Sequence, residues 1–158
     1  MNIFLTGEPG IGKTTILERY LNSSGVSVGG YFTTREITET SRVFWLNDRI
    51  TGESCLMVKM IPEVPREVNL AAFDEFAVAA INRGIAERGV LALDELGRFE
   101  EPCERFKQAV FAALDSDVIV LGILKLCDTP FIDAIKARAD VTVITVTEEN
   151  RDTITIPL

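Results

Sequence analysis

Stretches of consecutive apolar residues alternate along the chain with segments in which apolar residues recur every three or four positions. Continuous stretches are typical of buried parallel strands, and the 3.6-residue period is typical of helices that cover a sheet. The strand candidates are NIFLT (2–6), VLALDE (90–95), DVIVLGIL (117–124) and VTVITV (141–146). This alternation predicts an α/β fold with a doubly wound, mainly parallel sheet.

Four helices are predicted between these strands. The first runs from about Lys13 to Leu21, and the second covers residues 69–89. The third has apolar residues at the i, i+3, i+4, i+7 and i+8 spacing of an amphipathic helix, namely Phe106, Ala109, Val110, Ala113 and Leu114. The fourth begins near the sequence TPFIDAIKAR (129–138), in which proline stands at the first turn.

Residues 26–60 differ from the rest of the chain because they are rich in β-forming residues and turn signals. The turns are indicated by NDR (47–49) and TGE (51–53), and a loop is expected at IPEVP (61–65). We interpret residues 26–60 as an antiparallel β extension at one side of the sheet. No linker or repeat interrupts the pattern, so a single domain over residues 1–158 is expected.

The composition of the chain excludes several classes of function. The chain has 47% hydrophobic and 25% charged residues and a formal net charge of −8, which argues against nucleic-acid binding through a basic surface. No apolar stretch approaches the ~20 residues of a membrane span. The three cysteines form no CxxC pair and histidine is absent, so catalysis by Ser–His or Cys–His pairs is excluded. We expect a cytoplasmic protein that acts as a monomer.

The segment GEPGIGKTT (7–15) fits the phosphate-binding pattern GxxxxGK[ST], and it lies between a predicted strand and a predicted helix. Glycines allow successive main-chain N–H groups to face a phosphate, and the helix start favours an anion. Lys13 is expected to reach the β- and γ-phosphates, Thr14 to ligate Mg²⁺ and Thr15 to touch the α-phosphate. The predicted nucleotide-binding residues of this P-loop are Gly7, Glu8, Pro9, Gly10, Ile11, Gly12, Lys13, Thr14 and Thr15.

A P-loop requires an acidic partner at the end of a buried strand, and VLALDE supplies two carboxylates. Asp94 is expected to hold the metal ion, and Glu95 to orient and deprotonate the attacking water. The alternative is that both residues are simply a polar strand end. Arg98, just after DELG, is a candidate for the cation that meets transition-state charge; a surface pair with Glu100 or Glu101 explains it equally well.

The base is expected to pack near the end of the last strand. VTEENRD (146–152) follows that strand, and its Asn150 and Arg151 are able to bond or stack on a base. A helix N-cap formed by Thr147 or a neighbour accounts for the same residues.

Taken together, these segments resemble the small P-loop nucleoside-triphosphatases of thermophilic prokaryotes, whose vertebrate member is called cancer-related nucleoside-triphosphatase. The resemblance is carried by IFLTGEPGIGKTT, GVSVGGYFTTREI, LALDELGRFE and VTEENRD in this order. It implies a P-loop fold (RecA/kinase-like) and slow, Mg²⁺-dependent hydrolysis of ATP, GTP, CTP and UTP to NDP and phosphate. It also implies that Lys13, Glu95 and Arg98 are catalytic and that Thr14 and Asp94 bind the metal. Thr38 stands where the family carries a basic residue.

Two other functions are compatible with the same motifs. A nucleoside or nucleotide kinase would need an acceptor site, for which Tyr31, Phe32 and Arg35 are the candidates. A nucleotide-dependent switch would use DELG (94–97) as a DxxG motif. Against a GTP-specific switch, LKLCD (124–128) lacks the asparagine of NKxD and spaces Lys125 one residue too far from Asp128.

Overall fold

The computed structural model of the chain describes residues 1–157, which form eight strands and four α-helices. The strands are β1 (Asn2–Thr6), β2 (Val28–Ile37), β3 (Arg42–Asp48), β4 (Ser54–Met60), β5 (Glu67–Val68), β6 (Val90–Leu96), β7 (Ile119–Leu124) and β8 (Val141–Thr145). The helices are α1 (Lys13–Ser24), α2 (Val78–Glu87), α3 (Glu104–Asp115) and α4 (Pro130–Lys136).

All eight strands form one sheet in the order β5-β4-β3-β2-β6-β7-β1-β8. The five strands from β2 to β8 in this order run parallel, so their carboxyl ends lie at the same edge. Ligands of open α/β sheets bind at that edge. Because β7 lies between β1 and β6, the end of β7 separates the P-loop from the carboxylates at the end of β6.

Helices cover both faces of this sheet, which confirms the doubly wound architecture. On one face Ile16, Leu17 and Leu21 of α1 pack with the strand residues Leu5 and Ala92. On the other face apolar side chains of α2, α3 and α4 pack with alternate strand residues such as Phe4, Leu91 and Leu93. The two faces separate because successive side chains of a strand point in opposite directions.

The β extension agrees with the prediction in part. Strands β3, β4 and β5 pair in antiparallel fashion, but β2 also pairs parallel with β6 and therefore belongs to the main sheet. The two strands approach closely at Gly30, where φ is +94° and a Cβ atom would overlap the carbonyl oxygen of Ala92. The two-residue strand β5 lies outside the predicted extension.

The predicted helix over 69–89 has two parts in the structure. Residues Ala72–Ala77 form a π-helix that continues directly into α2. The helix ends at Glu87 and its C-cap Arg88 is extended, so the helix stops two residues before the predicted end at residue 89. In the fourth helix Pro130 is the first residue, as the sequence predicts, and the hydroxyl of the N-cap Thr129 accepts the N–H of Ile132. None of the helices in residues 1–157 has the length and apolar character that a membrane span needs.

Candidate active site

The P-loop follows β1 and takes its shape from glycines in the left-handed region. Gly10 has a φ of +76° and Gly12 a φ of +111°, and Gly12 is the N-cap of α1. Residues with a side chain rarely adopt these angles, which explains the cluster of glycines. The carbonyl of Gly12 accepts the N–H of Ile16 at 3.0 Å. The helix therefore begins at Lys13 and directs its free N–H groups toward the loop.

Lys13 is buried, and its ammonium group donates to two carbonyl oxygens of the loop. The Nζ atom lies 2.8 Å from the carbonyl oxygen of Gly7 and 2.9 Å from that of Glu8. Burial lowers the pKa of Lys13, while the carboxylates of Glu95, Glu8 and Asp94 oppose this shift. The ammonium group is thus held inside the loop where phosphate oxygens would bind.

Asp94 and Glu95 lie at the carboxyl end of β6, at the edge that carries the P-loop. The peptide bond between them is cis, and the register of β6 with β7 shifts here, between Leu93 and Leu96. Asp94 pairs with Phe32 of β2 and is only 2% exposed. Burial raises the pKa of Asp94 to about 6, and a hydrogen bond from the Thr14 hydroxyl opposes this rise.

Glu95 is less buried than Asp94 and forms an ion pair. Its Oε1 atom lies 3.2 Å from Nζ of Lys125, the residue that follows β7, and its side chain is 29% exposed. Its backbone carbonyl accepts the hydroxyl of Tyr31, at 3.2 Å. Asp94 therefore lies in the protein interior, whereas the carboxylate of Glu95 reaches solvent.

A cavity of about 240 Å³ opens beside Thr14 and Asp94. Its walls come from α1, β2, the segment after β3 and the end of β6, and the lining residues are Thr14, Glu18, Phe32, Thr33, Arg49 and Asp94. Thr14 and Thr15 are both exposed on the first turn of α1. The cavity therefore brings together the two residues predicted to bind the metal.

These oxygen donors fit a divalent metal that keeps most of its water. Within residues 1–157 there is no group of three or more His, Cys, Asp or Glu side chains that could hold a metal ion, and the two donors predicted for it are the Thr14 hydroxyl and the Asp94 carboxylate. Mg²⁺ is typically held in this way, by one or two protein ligands together with substrate phosphates and water.

Arg49 is a residue of this site that the sequence did not reveal. It follows β3 in the segment NDR, which indicated only a turn. Its guanidinium forms an ion pair with Glu18 of α1 and lies 5.1 Å from the centre of the Phe32 ring. The Nε atom of Arg49 is buried without a hydrogen-bond partner. The location of Arg49 beside the cavity depends on the pairing of β2 with β3, and a local turn signal contains no information about that pairing.

Arg98 is exposed, and neither of its predicted partners is paired with it. Glu100 is buried and accepts the N–H of Gly97 at 2.9 Å, and Glu101 pairs with Lys107 at 3.6 Å. The surface pair suggested for Arg98 is therefore wrong. The hydrogen bond to Glu100 also occupies the N–H of Gly97, the group that a DxxG switch would direct to the γ-phosphate.

Asn150 and Arg151 lie in a turn after β8, not in a helix, so the expected helix N-cap is wrong. The side-chain oxygen of Asn150 accepts the N–H of Thr147 at 2.7 Å, and its amide donates to the carbonyl of Thr145 at 2.9 Å. Asn150 therefore closes the turn. Arg151 is exposed.

With this geometry established, comparison with known proteins identifies the family. A family model described as NTPase matches residues 2–157. The chain belongs to this NTPase family. The resemblance drawn from the sequence is therefore confirmed, as is the P-loop fold class.

Individual relatives are similar over nearly the whole chain. The nucleoside-triphosphatase THEP1 of Thermofilum pendens is 38% identical over 96% of this chain and 89% of its own length. The crystal structure of THEP1 from the hyperthermophile Aquifex aeolicus has a TM-score of 0.79 with 27% identity, over 97% of this chain and 94% of that one. The solution structure of a human cancer-related nucleoside triphosphatase has a TM-score of 0.76 with 30% identity, over 96% of this chain and 91% of that one.

Proposed function

We propose that this protein hydrolyses nucleoside 5′-triphosphates to NDP and phosphate, using Mg²⁺, with broad base tolerance and slow turnover. The relatives named above are called nucleoside-triphosphatases, which supports hydrolysis. The observation that carries the proposal for this chain is the cavity in which Thr14, at the start of α1, meets the buried Asp94 beside the P-loop. Family membership alone does not provide that arrangement.

The loop would bind the phosphates through its backbone and one ammonium group. Free N–H groups at the start of α1 and the positive end of the helix dipole favour an anion. Lys13 would exchange the carbonyl oxygens of Gly7 and Glu8 for phosphate oxygens. Because both carbonyls already hold the ammonium inside the loop, little reorganisation is needed.

Thr14 and Asp94 would hold the metal ion. P-loop NTPases generally use a divalent metal, and we propose Mg²⁺ because the protein donors are few and all are oxygens. When bound, the ion neutralises charge on the β- and γ-phosphates. Asp94 must be ionised to act as a ligand, so metal binding should weaken as the pH falls through about 6.

Glu95 would act on the attacking water. Its carboxylate reaches solvent at the same sheet edge as Lys13, and a general base must lie within hydrogen-bond reach of the proton that it removes. Broad base tolerance is supported by the turn after β8. There the polar groups of Asn150 are engaged within the turn, so of the two residues expected to contact the base only Arg151 has a side chain available for it.

The decisive experiment is a turnover panel over NTPs and dNTPs, with and without Mg²⁺. Lys13→Ala is expected to abolish nucleotide binding. Glu95→Gln is expected to bind nucleotide normally but to lose at least about 10²-fold in kcat, the usual contribution of a general base. Lys59→Ala and Glu53→Gln, at exposed positions of the β extension, are the matched controls. Full activity of Glu95→Gln would contradict the assignment of water activation.

A nucleoside or nucleotide kinase is the second candidate, and the cavity favours it. Phe32 lines the cavity next to the metal residues, where an acceptor could approach the γ-phosphate. The other two expected acceptor residues do not line the cavity. Tyr31 is fully buried in the core and Arg35 is exposed. Assaying phosphate release with and without nucleoside acceptors separates the two functions, because a kinase transfers the phosphoryl group to the acceptor instead of to water.

A further inference from the structure

Lys125 has a position that the P-loop motif does not specify. It is the first residue after β7, the strand between β1 and β6. The backbone N–H of Lys125 donates to the carbonyl of Leu96 at 2.9 Å. This hydrogen bond positions the backbone of Lys125 beside the end of β6. Its side chain therefore begins at the sheet edge between the P-loop and the Asp94–Glu95 carboxylates.

The side chain of Lys125 is directed to the carboxylate proposed to activate water. Nζ lies 3.2 Å from Oε1 of Glu95, and the Lys125 side chain is 48% exposed. Nζ also lies 5.9 Å from the centre of the Phe99 ring. Among residues 1–157, Glu95 is its one ion-pair partner. An exposed ion pair of this kind contributes little to the stability of a fold, so Lys125 can exchange this partner for another at small cost.

The ammonium groups of Lys13 and Lys125 interact electrostatically with each other, and both interact with Glu95. Two ammonium groups therefore lie near the Glu95 carboxylate, and Glu8 and Asp94 also act on Lys13. Two arginines of this region are placed differently, since Arg49 pairs with Glu18 and Arg98 is exposed without its expected partners. Lys125 is thus the additional cation that lies at the catalytic carboxylate.

We propose that Lys125 changes partners when a nucleoside triphosphate binds, leaving Glu95 for an oxygen of the γ-phosphate. This inference rests on the proposed hydrolysis. The exchange has two consequences: Glu95 is released to contact water, and the ammonium meets the charge that develops on the γ-phosphoryl group. Positive charge at that point is the main protein contribution to phosphoryl transfer.

The step balances as ordinary hydrolysis. The water oxygen forms a bond to the γ-phosphorus, and the bond from phosphorus to the β–γ bridging oxygen breaks with its electron pair leaving on the NDP. The proton of the water passes to the Glu95 carboxylate. Lys125 donates hydrogen bonds throughout and transfers no proton.

The test compares Lys125→Met and Lys125→Arg with the wild type, with Lys59→Met on β4 as a control for removing an exposed lysine. Hydrolysis is measured under single-turnover conditions, and NTP and NDP affinities are measured separately. Lys125→Met is expected to lower the rate constant on the order of 10²–10³-fold, as for loss of one transition-state donor. NDP affinity should change less than about two-fold, and Lys125→Arg should recover part of the rate.

Two results would overturn the proposal. A single-turnover rate in Lys125→Met equal to that of Lys59→Met, while Lys13→Ala is inactive, would leave hydrolysis intact and remove Lys125 from it. An equal loss of NTP and NDP affinity would show a structural role without a γ-phosphate contact. Absence of Mg²⁺-dependent hydrolysis in the wild type would instead contradict the proposed function, and the role of Lys125 with it.

Discussion

The buried carboxylate of Glu100 accepts the backbone N–H of Gly97 at 2.9 Å, just after the strand that carries Asp94 and Glu95. Glu100 is only 4% exposed. Burial raises its pKa to about 7, although hydrogen bonds from its own backbone and from Gly97 oppose the shift. A glutamate that holds the backbone behind the active site is thus protonated over part of the physiological pH range.

This raised pKa predicts how stability depends on pH. Below the ordinary pKa of 4.5, Glu100 is protonated in both the folded and the unfolded chain and costs nothing. Between 4.5 and about 7 the unfolded chain loses this proton first, so the free energy of unfolding falls as the pH rises. The full penalty, on the order of 3 kcal/mol, is reached above pH 7.

Replacing Glu100 by Gln should remove this pH dependence, because the amide oxygen can still accept the N–H of Gly97. Relative to the wild type, the free energy of unfolding of Glu100→Gln should rise by about 2–3 kcal/mol between pH 4.5 and pH 8. Urea unfolding without nucleotide or metal measures it, with the exposed Glu53→Gln as control. A difference that stays constant across this range would contradict the raised pKa.

The ion pair between Arg49 and Glu18 ties the β extension to the P-loop helix, and its energy is measurable. The Arg49 side chain is 12% exposed and that of Glu18 is 34% exposed, so solvent screens the pair only in part. We expect a coupling of about 1–2 kcal/mol in a double-mutant cycle of Glu18→Gln and Arg49→Met. Single substitutions whose effects on the free energy of unfolding simply add would show that the pair contributes nothing.

Neighbouring substitutions in the turn after β8 should have different effects. Asn150→Ala removes the hydrogen bonds to Thr145 and Thr147, so it should lower the free energy of unfolding by about 1–2 kcal/mol. It should also raise KM for all NTPs by similar factors. Arg151→Ala should leave stability within about 0.5 kcal/mol but raise KM unequally for purine and pyrimidine nucleotides. Equal effects of Arg151→Ala on every base would contradict a base contact.

The elements nearest the P-loop could be predicted from local sequence. The start of α1 at Lys13 follows from a glycine-rich loop between an apolar strand and an amphipathic segment. The position of Asp94 at a strand end follows from VLAL before it. Both depend on periodicity and backbone freedom within about ten residues, which the sequence displays directly.

Other features depended on which strands become neighbours. β2 appeared to belong to the antiparallel extension, yet it also pairs parallel with β6 because Gly30 allows a close approach to Ala92. The segment NDR indicated a turn, and only the pairing of β3 with β2 brings Arg49 to Glu18 and the cavity. The π-helix at Ala72–Ala77 carries no sequence signal that distinguishes it from an α-helix.

The sequence alone therefore determined the parallel α/β class, the phosphate loop and the strand-end carboxylates. Each of these depends on a short segment in which the spacing of apolar residues and glycines determines the local conformation. The tertiary structure decided that β7 lies between β1 and β6, and hence that Lys125 reaches Glu95. It also decided that Glu100 is buried. Strand order and burial arise from packing between distant segments, and no local pattern encodes which segments will meet.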